Sequence, residues 1–227
     1  MRSLSEAVWR AGVVRAGKLG YESALRLAHR ALGLQEARVT IEGTAVPFLV
    51  GGWGPALVLV HGFGADREGF LPLVKSLSGL RRTVIVPDLP GFGDAGPIPP
   101  SHATARHFAH TVSRLVEACG FARADLLGSS MGGAVALRLA ADEPPKVRSL
   151  VLVGSVGPHV DRGELAQELR QGRNPLLAQS AEEFRALLDF VFAKPVKLPP
   201  VVGHYVLRKR IARYPVEREL FDGWVTS

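Results

Sequence analysis

Ser130 stands at the centre of Gly128-Ser129-Ser130-Met131-Gly132, between a short apolar run, Ala124 to Leu127, and a stretch of small residues, Gly133 to Ala141. A strand that turns abruptly into a helix is the setting in which Gly-x-Ser-x-Gly presents a serine hydroxyl as a nucleophile. The turn is so tight that flanking Cβ atoms would collide, which accounts for Gly128 and Gly132, while Gly133 lets the helix approach the sheet. The five residues alone also fit an ordinary glycine-rich turn. Their placement and their companions favour the nucleophile.

The first companion is His61-Gly62-Phe63-Gly64, directly after the apolar run Ala56 to Val60. When an acyl group is transferred, the carbonyl oxygen becomes an oxyanion, and backbone N–H donors fixed in advance stabilise it. The expected donors are the N–H groups of Phe63 and of Met131, with Gly62 and Gly64 letting the backbone come close. His61 is expected to brace this loop by hydrogen bonding rather than to serve as a base. The second companion, Thr83-Val84-Ile85-Val86-Pro87-Asp88-Leu89-Pro90-Gly91-Phe92-Gly93, reads as a buried strand entering a turn, where the Asp88 carboxylate caps nearby backbone donors.

These motifs, in this order and spacing, resemble the α/β-hydrolase superfamily from about Arg38 onward. Asn174-Pro175-Leu176-Leu177, Ser180-Ala181-Glu182-Glu183-Phe184 and Leu187-Leu188-Asp189-Phe190-Val191-Phe192 are similar to the cap of bacterial lipases related to monoacylglycerol lipases. The resemblance implies a mostly parallel sheet with helices on both faces, a helical cap, and hydrolysis of carboxylic esters through an acyl-enzyme, without a cofactor. It also implies a triad in the order serine, acid, histidine, the last two following the seventh and eighth strands. No such residues follow here: after Ser130 the histidines are His159 and His204, and Asp161 follows the sixth strand. The expectation is therefore a C-terminally truncated hydrolase whose last two strands are absent and which is inactive alone. A non-catalytic hydrolase-like binding protein, a carbon–carbon bond hydrolase and an acyltransferase are the alternatives.

Strands are expected at Arg38 to Ile41, Val46 to Val50, Ala56 to Val60, Thr83 to Val86, Ala124 to Leu127 and Ser149 to Val153. Ala105, Phe108, Val112, Leu115 and Cys119 recur at helical spacing, and Gly120 stops that helix. Cys119 reads as a buried thiol. His107 and His110, three apart on the other side, are expected to be solvated rather than to share a metal, and no metal site is expected. Ser180 with Glu183 reads as a capping box opening a helix whose buried stripe is Phe184, Leu187, Leu188 and Val191. Leu187, Leu188, Phe190 and Phe192 are candidates to line an acyl pocket, with plain packing as the alternative.

Three pieces are expected: residues 1–35, a basic helical segment; 36–157, the sheet domain; and 158–227, the cap. The first piece holds Arg2, Arg10, Arg15, Lys18, Arg26 and Arg30 against Glu6 and Glu22, so +4 of the formal +7 lies there. Tyr21, Ala24, Leu25, Ala28 and Leu32 share one side, and Glu22, Arg26, His29 and Arg30 the other. A basic amphipathic helix suits an anionic lipid surface, and packing on its own domain is the competing reading. With 47% hydrophobic residues in 227, the chain can bury one substantial core. It has no zinc spacing and no phosphate-binding loop; the resemblance implies a small-molecule or lipid ester as partner, and no nucleic acid is expected. The place expected is the cytoplasm, with possible peripheral membrane contact.

Overall fold

The computed structural model describes residues 2–156, 163–194 and 197–226. Its secondary structure runs α1 (Arg2–Ala31), β1 (Leu34–Ile41), β2 (Thr44–Gly52), β3 (Ala56–Val60), α2 (Leu71–Ser76), β4 (Thr83–Pro87), α3 (Ala105–Ala118), β5 (Ala124–Ser129), α4 (Met131–Asp142), β6 (Val147–Val153), α5 (Glu164–Arg170), α6 (Ala181–Val191) and α7 (Pro200–Val225). Two compact units form. One comprises His29–Asp161 with Glu219–Ser227 and holds the sheet; the other comprises Met1–Ala28 with Arg162–Arg218 and is helical.

In the sheet unit the strands lie in the order β1-β2-β4-β3-β5-β6. β1 and β2 form an antiparallel hairpin, β2 runs antiparallel to β4, and β4, β3, β5 and β6 are mutually parallel. At its centre, in β3 and β4, both faces are covered, and the alternation of these strands shows it. From β3, Val58 and Val60 enter the larger core beside α3 and α4, while Leu57 and Leu59 face the smaller cluster that includes Val74 of α2. From β4, Ile85 goes to the first and Val84 and Val86 to the second. Strands buried on both sides read as continuous apolar runs, which is how these segments stand in the sequence.

Five strands, β1, β2, β4, β5 and β6, are longer than their apolar runs suggest. β1 begins at Leu34, so the hairpin takes in residues expected to belong to the N-terminal piece. β6 is an edge strand among the described residues, and its Val151, Leu152 and Val153 are exposed. Helix α3 starts at Thr104, whose hydroxyl accepts the His107 N–H at 3.1 Å, and buries Phe108, Val112 and Leu115. It also buries Ala109, Thr111, Ser113 and Val116, a wider face than the stripe predicts. Cys119, the cap of this helix, packs against the core, and burial pushes its thiol pKa up. His107 is not solvated: it is half-buried beside His102 at 5.0 Å, and its Nε2 is buried with no hydrogen-bond partner among the described residues. His110 is exposed and pairs with Glu42 at 3.1 Å.

The end of α7 departs from the expected cap. Its last turns belong to the sheet unit, where Leu220 and Phe221 are buried and Trp224 stacks on Phe108 at 6.1 Å. In the helical unit α1 packs on α7. A Cβ at Gly17 would overlap the Val201 carbonyl, and the rings of Tyr21 and Tyr205 lie 5.7 Å apart. Packing on the chain itself thus occupies that side of α1. His29, expected on the solvent side, is instead buried in the sheet unit, because carboxylates meet both ring nitrogens: Glu68 at 2.7 Å and Glu36 at 3.3 Å.

In α6, Ser180 accepts the Glu183 N–H at 3.1 Å while the Glu183 carboxylate takes the N–H of Gln179 at 2.6 Å, one residue earlier than a standard capping box. Leu187 is buried and Phe184, Leu188 and Phe190 are half-buried. Val191 is exposed rather than part of the stripe, since the helix ends there and the chain turns away. Phe192 is 49% exposed.

Candidate active site

Ser130 joins β5 to α4 with φ 53° and ψ −119°. Among the described residues only Glu42 shares a positive φ without being glycine. Such a conformation costs on the order of 1–3 kcal/mol and persists only where its surroundings impose it. Here they do. The Ser130 N–H donates to the Val153 carbonyl at 2.9 Å, and the Ser130 carbonyl accepts from Gly133 at 2.9 Å and Val156 at 3.2 Å. A Cβ on Gly128 would overlap the Gly132 carbonyl, and one on Gly132 would overlap the carbonyls of Val60 and His61. The Gly133 hydrogen faces Ser155, in the loop after β6, which the sequence does not flag.

The loop after β3 comes directly against the serine. A Cβ on Gly62 would lie 3.1 Å from the Ser130 Cβ and 3.7 Å from its Oγ. Met131 is the first residue of α4, so its N–H is one of the orphan donors of a helix start. Among the described residues, neither that N–H nor the one of Phe63 donates to another group. Phe63 is wedged between Phe92 and Phe221, each at 5.3 Å in edge-to-face geometry. Gly64 has φ +66°, a turn conformation that a side chain would resist.

His61 is buried, with Nδ1 2.8 Å from the Gly62 carbonyl and Nε2 accepting the Leu89 N–H at 3.0 Å. Asp88 is fully buried. It accepts from the backbone N–H groups of Arg67 at 2.7 Å and Asp94 at 2.9 Å, and from the Arg67 guanidinium. Gly93 (φ +54°) leaves room for that carboxylate, which a Cβ there would strike. Arg67 is buried too and reaches Asp94 at 3.1 Å, a partner that no sequence pattern singles out. Asp88 therefore lies at the junction of two loops, engaged by backbone and guanidinium.

Among the described residues, the Ser130 hydroxyl has no hydrogen-bond partner. His159 and Asp161 lie outside the described residues. His204 is exposed on α7 in the helical unit, where Leu187, Leu188, Phe190 and Phe192 also lie. The grouping with cation-ligand chemistry among the described residues is His29 with Glu36 and Glu68. Its carboxylates sit on opposite ring nitrogens, and Arg67 Nε lies 3.3 Å from Glu68, so it reads as an ion-pair cluster. Burial pushes the Glu68 pKa up.

The chain that carries this arrangement is similar to known proteins. Residues 55–192 match the family described as alpha/beta hydrolase fold. The chain is 34% identical over 183 residues to "Lipase 1" of Psychrobacter immobilis and 32% identical over 181 residues to "Lipase 3" of Moraxella sp. (strain TA144). Each match covers 77% of this chain and 55% of the relative, so the chain spans about half the length of the curated relatives it matches. A crystal structure of a membrane phospholipase A, a bacterial virulence factor, superposes with a TM-score of 0.84 at 32% identity, covering 98% of this chain and 74% of that one.

Proposed function

Since the chain belongs to the alpha/beta hydrolase fold family, we propose that it carries the nucleophile and oxyanion donors of a serine ester hydrolase of lipase or esterase type. Ser130 attacks the ester carbonyl, and the N–H groups of Phe63 and Met131 receive the developing oxyanion. The alcohol leaves, and water hydrolyses the acyl-enzyme. The observation that carries this reading is the strained Ser130 backbone set against the Gly62 loop, since strain held in place by surrounding structure clusters at functional sites. Similarity to two lipases and to a phospholipase structure supports carboxylic esters as the substrate class.

A serine hydroxyl is a weak nucleophile until a positioned base takes its proton. The reading therefore includes a histidine and an acid supplied from outside residues 1–227. Loss of triad members leaves only the modest catalysis of oxyanion stabilisation and binding, roughly 10³ to 10⁴ over water. Hydrolysis of a short-chain p-nitrophenyl ester by residues 1–227 and by the full reading frame, with Ser130→Ala as blank, tests it. Turnover confined to the full frame and absent from the alanine variant is expected. Equal turnover by the 227-residue form would move the base to His159 or His204.

A further inference from the structure

Among the described residues of the sheet unit, Trp53 and Leu80 are the two most exposed large apolar side chains, at 61% and 58%. Trp53 lies in the turn from β2 to β3 and Leu80 in the connection from α2 to β4. The two loops touch. Thr83 donates its hydroxyl to the Gly54 carbonyl at 2.9 Å and its N–H to that of Pro55 at 3.1 Å, and the Arg81 guanidinium sits 4.3 Å from the Trp53 ring centroid. The register aligns Ala56 with Thr83 and with Ala124, and Ala124 with Val147. Arg81, Arg82, Arg123 and Arg148 consequently share the end of the sheet where the parallel strands begin. Asp125 is the carboxylate among them. Arg148 Nε donates to it at 2.8 Å, Ser149 at 2.6 Å, and Arg82 Nε stands 3.4 Å away, so two of the four guanidiniums pair with this acid while Arg81 lies over the Trp53 ring.

We propose that this end of the sheet is a docking surface for an anionic lipid bilayer, with Trp53 and Leu80 entering the headgroup boundary and the arginines engaging lipid phosphates and carboxylates. The indole suits that boundary, being apolar in body and polar at its N–H. Peripheral binding grows with buried apolar area plus attraction to anionic lipid, and each basic residue near such a leaflet is worth roughly fivefold in affinity. A nucleic acid would use the arginines but leave Leu80 without an apolar partner. A bilayer uses both. Ser130 follows β5, whose six residues span about 20 Å, so it stands at the opposite end of the sheet from the lipid. The inference is independent of the hydrolase reading.

The test is co-sedimentation of the 227-residue chain with phosphatidylcholine vesicles, with and without phosphatidylserine. Binding is expected only with the anionic lipid and is expected to weaken as salt rises. The double variant Trp53→Ala/Leu80→Ser should lose at least tenfold, and Arg81→Ala about fivefold. Their thermal midpoints should be unchanged, since the side chains are exposed. Reversing charges on α1 with Arg15→Glu and Arg26→Glu should change binding less than either. Quenching by brominated lipid should fall in Trp53→Phe, the chain having three tryptophans. No binding to the anionic vesicles, or undiminished binding by the double variant, would overturn the proposal. So would loss seen only on reversing α1. Tight binding to duplex DNA without vesicle binding would assign the arginines to nucleic acid instead.

Discussion

The N–H of Leu89 donates to Nε2 of His61 at 3.0 Å, while Nδ1 of the same ring meets the Gly62 carbonyl at 2.8 Å. An amide donates only to an unprotonated ring nitrogen, so the proton is on Nδ1 and points at Gly62. The ring therefore fastens the loop after β3 to the loop after β4, with neither nitrogen left to take a proton from substrate. His61→Ala should cost about 2–3 kcal/mol in urea unfolding, from two lost hydrogen bonds and a stranded Leu89 donor. Nitrogen-15 spectra should show the Nδ1–H tautomer. A predominant Nε2–H form would contradict the assignment.

Gly128 and Gly132 have no room for a methyl group, because the obstacles are backbone carbonyls of β3 and α4 that cannot rotate away. Alanine at either position should lower the thermal midpoint sharply or prevent folding. Gly69→Ala is the matched control, its Cβ position being open and its φ negative. Equal stability of all three variants would mean that the elbow is looser than described.

Arg67 and Asp88 form a buried pair in which Asp88 also serves two backbone donors. Removing one partner of such a pair leaves an uncompensated charge and costs roughly 3–5 kcal/mol. Asp88→Ala should destabilise at least as much as Arg67→Ala, and a double-mutant cycle should show strong coupling. Additive losses would refute the pairing.

Asp125 ties β5 to β6, and the Arg148 hydrogen bond holds its carboxyl pKa below the usual value, with Ser149 adding to it. A depressed folded pKa means that the stabilisation is present above the unfolded value, about 3.9, and is lost as pH falls through the folded one. Asp125→Asn should thus be less stable than the parent at pH 7, with the gap closing at strongly acid pH. A gap that persists there would implicate packing instead.

His107 runs the same way in a window nearer neutrality. Burial lowers its pKa, so its contribution is full above the unfolded value of about 6.5 and is lost as pH falls below it. His107→Phe should flatten that part of the stability profile. An unchanged slope between pH 7 and 5 would remove His107 as its source.

The sheet and the elbow were legible because each rests on a local rule. Apolar runs of strand length alternate with helical periods, and Gly128, Ser130 and Gly132 obey a steric requirement of one turn. What stayed hidden depends on partners distant in the chain. His29 reads as solvent-facing on a helical projection, yet Glu68 lies 39 residues away and draws it inward. Arg67 has no neighbouring acid at helical spacing, and its partner Asp88 comes from the next strand exit. Leu220, Phe221 and Trp224 share one side of α7, a signal of burial, but nothing local says that they face Phe63 and Phe108 rather than neighbouring helices.

The central claim is that Ser130 is the nucleophile, and covalent labelling addresses it most directly. The natural protein, treated with an activated phosphonate, digested and analysed by mass spectrometry, should carry the adduct on the peptide containing Ser130 and nowhere else. Ser130→Ala should abolish labelling while leaving the fold intact. Adduct on another residue, or equal labelling of the alanine variant, would contradict the account.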